Sequence, residues 1–279
     1  MTMVADPILA LEALGYTERE AAFLYLVAAH CGYFLRRQFD YFIDRNKGSI
    51  AMRLLARARE LGHIESIDYP QGWHVYHVCS RTIYRLLGDP ESQLRRIKGD
   101  AAVRAQLMAL DYILENEGDH FVATGAERLR FFGEIRRVSS GILETTLDPL
   151  LLTSPVSLAD RTRPTQSAVR FAFIDEGLSG ADKFLRYLSV AEPLLRALDN
   201  FEVVYVACSD FNFAAVKTAF WDVFANESFP KPGLFNDAMH SDRRKHHVPL
   251  QARFTTLLLN YIYPQMQRSE PKGSEKVRT

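Results

Sequence analysis

Between Arg36 and Arg59 the chain carries Arg36, Arg37, Arg45, Lys47, Arg53, Arg57 and Arg59 against Asp40 and Asp44, seven basic side chains to two acidic. Guanidinium groups donate hydrogen bonds from a rigid fork, so a cluster of them suits phosphate oxygens or the O6/N7 edge of guanine. Double-stranded DNA is therefore the expected partner. Elsewhere the chemistry is sparse. Asp175-Glu176, closing a strand candidate, is the one suggestive carboxylate pair. His74 and His77 lie three apart in another strand candidate, which turns them to opposite faces and away from a shared metal. His30 has no other ligand type spaced around it and reads as a core or interface histidine. The motifs GxxxxGK[ST], GxGxxG and HExxH do not occur, so no cofactor, metal or catalytic residue is expected.

The elements that must position the basic cluster are legible in outline. Tyr33 to Phe42 supplies a short helix holding Arg36 and Arg37 near its start. Ser49 then reads as an N-cap whose hydroxyl takes a free amide, and Gly62 as a helix stop. Between them Ile50, Leu54, Ala58 and Leu61 recur at helical spacing and should pack inward; Arg53, Arg57 and Glu60 line another face, with Arg59 beside it. After the helix, Ile64 and Ile67, then Trp73, Val75 and Tyr76, form two β-prone runs around Tyr69-Pro70-Gln71-Gly72. Helix, turn, basic helix and hairpin is the order of a winged helix-turn-helix, with the helix offered to the major groove and Trp73 and His74 on the wing. The candidate DNA contacts are thus Arg36, Arg37, Arg45, Lys47, Ser49, Arg53, Arg57, Arg59, Trp73 and His74.

Ahead of this block, Asp6-Pro7 predicts a helix start and Thr17 to Glu20 a capping box opening a helix that runs to Cys31. Behind it, Asp89-Pro90-Glu91 is expected to start a helix carrying Arg95, Arg96 and Lys98. Val103, Leu107, Leu110 and Leu114 predict an amphipathic helix over 100–115, either a dimerisation surface or a bridge between domains. No strong periodicity marks 133–164. From 168 onward the order strand, helix, strand, helix predicts a parallel βαβ unit. A basic loop at 241–247 and an apolar helix at 250–266 precede a charged tail expected to be disordered. The divisions expected are 1–88, 89–132, 133–266 and 267–279.

With 279 residues the chain is long enough for two ordinary domains. Lys plus Arg equals Asp plus Glu at 34 each, so polyanion affinity has to come from the local patch rather than from net charge. Three scattered cysteines without a CxxC pair argue against a disulfide framework or zinc ribbon. With no signal-like start and no apolar run of about 20 residues, a cytoplasmic bacterial protein away from membranes is expected.

Thr17-Glu18-Arg19-Glu20-Ala21, Gly32-Tyr33-Phe34 with Arg37-Gln38, Gly62-His63, Tyr76-His77-Val78, and Ser80-Arg81 with Tyr84-Arg85 resemble the replication-relaxation family of bacterial plasmids and integrative elements. The resemblance covers the first half well and the second loosely. It implies an N-terminal winged helix used on DNA, a role carried over to Arg36, Arg37, Arg53, Arg57 and Arg59. It also implies a second half like a degenerate restriction-endonuclease core, whose active members set an acid, a second acid, one residue and a lysine around a divalent metal. Here Gly177 and Leu178 stand where that lysine belongs, and only Asp160 offers an upstream acid. The expected fold is thus helix-rich α+β, a winged helix-turn-helix followed by an α/β domain. The expected function is a sequence-specific, dimeric DNA-binding regulator of transcription or replication. A metal-dependent nuclease at Asp175 and Glu176 and a protein-interaction adaptor are the alternatives.

Overall fold

A computed structural model describes residues 6–44, 49–69, 72–146, 154–158, 162, 164–165, 167–177 and 180–224. These form a helix-rich mixed α+β structure with ten α-helices and two sheets among the described residues. They divide into one unit up to Leu110 and a second from Asp111. The boundary runs through a helix, Asp100–Glu115.

In the first unit α1 (Pro7–Glu12) starts as expected, the Asp6 carboxylate accepting from the Ile8 amide at 2.9 Å. The capping box of α2 (Glu18–His30) is closed in both directions: Thr17 N donates to Glu20 Oε2 at 2.9 Å and Glu20 N to Thr17 Oγ1 at 3.4 Å. The face of α2 bearing Phe23, Leu24 and Val27 is fully buried. Gly32 ends the helix at φ +77°, and a side chain there would come within 2.8 Å of the Leu94 carbonyl oxygen. Next come β1 (Tyr33–Phe34), α3 (Arg36–Phe42), α4 (Ile50–Glu60), β2 (Ile64–Tyr69) and β3 (Trp73–Val78). The three strands form an antiparallel sheet in the order β1-β3-β2, with Ile67 opposite Val75 and Asp68 opposite His74. Pro70 and Gln71 of the hairpin turn lie outside the described residues; Gly72 takes φ +77°.

Two expectations for α4 need correction. Ser49 has αR backbone angles and makes no side-chain cap, because a helical Ser49 no longer aims its hydroxyl at the first-turn amides. The buried row is Ala51, Leu54, Leu55 and Ala58, while Leu61, past the helix end, is 45 % exposed. Gly62 does stop the helix: at φ +64° it lets His63 N reach back to Ala58 O at 2.8 Å.

Past α5 (Arg81–Leu86) the helix expected from Asp89 is reduced to turns and one 3₁₀ turn, Gln93–Arg95. Ser92 caps that turn, and Arg95 reaches the carbonyls of Cys79 (3.3 Å) and Pro90 (2.7 Å), holding the chain back on itself. Helix α6 (Asp100–Glu115) matches the periodicity. Its Val103, Leu107, Leu110 and Leu114 are buried.

The second unit is built on a four-stranded sheet of β4 (His120–Phe121), β5 (Val156–Leu158), β6 (Val169–Asp175) and β7 (Phe201–Ala207), in that order. β6 and β7 are parallel and joined through α9 (Gly180–Arg196), as the βαβ pattern requires; β4 and β5 add antiparallel pairings. The stretch at 133–164 contains part of a π-helical turn (Phe131–Ile135), α8 (Ser140–Thr146) and β5, elements too short for periodicity to reveal. α7 (Gly125–Arg130) and α10 (Phe213–Phe224) complete the described elements. The core gathers Phe171, Phe173, Phe184, Tyr187, Tyr205 and Phe224.

Candidate nucleic-acid interface

Burial of Ala51, Leu54, Leu55 and Ala58 fixes which way α4 faces, and leaves Met52, Arg53, Ala56, Arg57, Arg59 and Glu60 exposed. The arginines differ in what holds them. Among the described residues Arg53 makes no side-chain hydrogen bond or ion pair, and it lines a cleft of about 410 Å³ with Thr17, Arg19, Phe39 and Arg57. Arg57 is bound into the fold: Nη1 donates to the Gly15 carbonyl and lies 3.7 Å from the buried Glu20 carboxylate. Its guanidinium is thus held toward the capping glutamate of α2, while the side chain stays 47 % exposed. Arg59 sits over the Tyr76 ring at 5.3 Å, a cation–π contact that orients it beside the sheet.

The remaining predicted contacts that the structure describes lie on α3, at the head of α4 and on the hairpin. Arg36 is exposed on α3 and paired with Asp40 at 3.5 Å, one helical turn on. Arg37 is half-buried. Ser49 is exposed at the head of α4, its hydroxyl free of capping duty. Trp73 is half-buried opposite Tyr69 on the hairpin. His74 is exposed and shares a 2.7 Å hydrogen bond with Asp68; that bond, followed by one from Ser66, holds the Asp68 carboxyl below its usual range. Arg45 and Lys47 lie outside the described residues. Met52 and Ala56 are exposed between the arginines, on the side of α4 away from the buried row, a position that the spacing of the apolar residues defines and that charge alone does not.

His77 is on the opposite face of β3 from His74, buried, stacked on Tyr33 at 4.2 Å and bonded through Nε2 to Leu94 O at 2.9 Å. His63 is likewise buried, and its Nδ1 shares a 2.8 Å bond with the Tyr16 hydroxyl. Burial lowers both imidazole pKa values.

At the end of β6 the carboxylate pair has partners that sequence spacing did not disclose. Asp175 accepts from the Tyr205 hydroxyl, the Gly177 amide (2.8 Å) and Asn212 Nδ2 (3.3 Å). Lys183, seven residues on in the first turns of α9, meets both oxygens of Glu176 at 2.7 and 2.8 Å. A lysine therefore does reach the pair, through folding rather than adjacency. Among the described residues no three His, Cys, Asp or Glu side chains gather as a metal ion would require. Comparison of the chain with protein-family models, with curated proteins and with solved structures finds no match.

Proposed function

We propose that the first unit is a winged helix-turn-helix that binds double-stranded DNA, with α4 in the major groove and the β2–β3 hairpin as its wing, and that the protein acts through it as a dimeric regulator of transcription or replication. One observation carries this reading: α2, β1, α3, α4 and the hairpin follow in order, the sheet runs β1-β3-β2, and the outward side of α4 bears Arg53 with Arg57 and Arg59 at its flanks. A zero net charge makes this local patch the source of any phosphate attraction. Titrating the full chain against a labelled duplex tests it. Contacts to three or four phosphates should make affinity fall on the order of 10²-fold between 50 and 200 mM salt. An Arg53→Ala/Arg59→Ala chain should bind at least tenfold more weakly while keeping its thermal transition; undiminished affinity refutes the proposal.

The arrangement of Glu176 and Lys183 favours one rival, a metal-dependent nuclease. Against it, Asp175 already has its oxygens engaged by three donors. Supercoiled plasmid with Mg²⁺ or Mn²⁺ separates the two readings, since nicking that disappears in Asp175→Ala would establish the enzyme.

A further inference from the structure

The exposed positions of α4 fall into three strips. On one flank Arg57 leans toward α2, held by Gly15 and Glu20; on the other Arg59 leans over Tyr76 of the sheet. Between them Ser49, Arg53, Ala56 and Glu60 recur at spacings of four, three and four, directly opposite the buried row, and Met52, 52 % exposed, borders this line. A surface that only attracted phosphate would be cationic throughout. This one has its cations at the edges and, at its middle beside apolar side chains, an arginine that has no partner among the described residues.

We infer that this central line reads base edges, and that the preferred duplex carries a guanine next to thymines. Arg53 donates its fork to guanine O6 and N7, while Ala56 and Met52 meet thymine C5-methyl groups, which only the major groove displays. The flanking Arg57 and Arg59 take the phosphates on either side, a role that orients without reading sequence. Ser49, at the head of the helix where base contacts concentrate in this class of motif, has its hydroxyl available for a polar base edge. Glu60, at the far end of the line, repels phosphate and so fixes the end of α4 that enters the groove. This assignment rests on the DNA-binding reading and names its target.

Selection of duplexes from a random pool with the full chain, followed by atom-level replacement in the selected site, tests it. Replacing thymine with deoxyuridine removes only the methyl, and should weaken binding about fourfold per contacted base, from roughly 0.8 kcal/mol per buried carbon. Replacing guanine with 7-deazaguanine removes the N7 acceptor and should cost about tenfold. Met52→Gln should reduce the first effect and Arg53→Ala abolish the second, each leaving the other intact. A selected site indifferent to both replacements, or variants that keep both sensitivities, overturns the inference. Salt-dependent binding with no enriched sequence also overturns it, yet spares DNA binding. No binding to any duplex at low salt overturns both.

Discussion

Arginines that look alike in sequence have different work in the fold. Arg57 neutralises Glu20, whose side chain is only 8 % exposed, and also satisfies a turn carbonyl; Arg53 does neither. Arg57→Ala should therefore destabilise the first unit by about 1 kcal/mol, a figure kept small because the guanidinium is half in solvent. Arg53→Ala should stay within about 0.5 kcal/mol. Denaturant midpoints of the two full-length variants check the contrast, and equal shifts would refute it. His63 and His77 make a second expectation at this scale. Their folded pKa values lie below the ordinary 6.5, so beneath that pH the unfolded chain binds protons the native state refuses. Stability is then full above pH 6.5 and declines as pH falls toward the depressed values. The thermal midpoint should drop between pH 7.5 and 5.5, and drop less in His77→Gln.

Glycines mark where elements must end, and they are not equivalent. Gly62 needs only positive φ, with open space where a Cβ would stand; Gly32 needs positive φ and the absence of a side chain against Leu94. Gly62→Ala should cost about 1–2 kcal/mol from the left-handed backbone alone. Gly32→Ala should cost more, because the Leu94 carbonyl belongs to a turn that Tyr33, His77 and Arg95 all brace. Thermal denaturation of both variants gives the order, and a reversed order would contradict the packing described. Helices α2, α4, α6 and α9 were legible because each repeats an apolar row over enough turns to be recognised. β5, with three residues, and the π-helical turn at Phe131 were not, since nothing in so short a run distinguishes strand from turn.

Across the molecule, the first unit extends well past its hairpin. Tyr33 bonds the backbone at Arg96 and Lys98, His77 bonds Leu94, and the fully buried Gln38 donates to Leu107 O at 2.9 Å. A fragment ending at Gly88 removes these partners and strands Gln38 and His77 in an interior without them. It should unfold well below a fragment ending at Glu115, a comparison made by circular dichroism on heating; equal transitions would show that α6 adds nothing.

The sequence by itself determined the local pieces: the capped starts at Asp6 and Thr17, the stop at Gly62, the βαβ order, and a basic helix followed by a hairpin. These depend on neighbours within a turn or a strand, so spacing alone reveals them. Tertiary structure decided which charges are available. Glu20 meets Arg57 and Lys183 meets Glu176 only once separate segments or turns are brought together. Charge acts through space at distances that a linear reading cannot supply, and the same folding that leaves Arg53 without a partner among the described residues sets the half-exposed Arg57 beside Glu20.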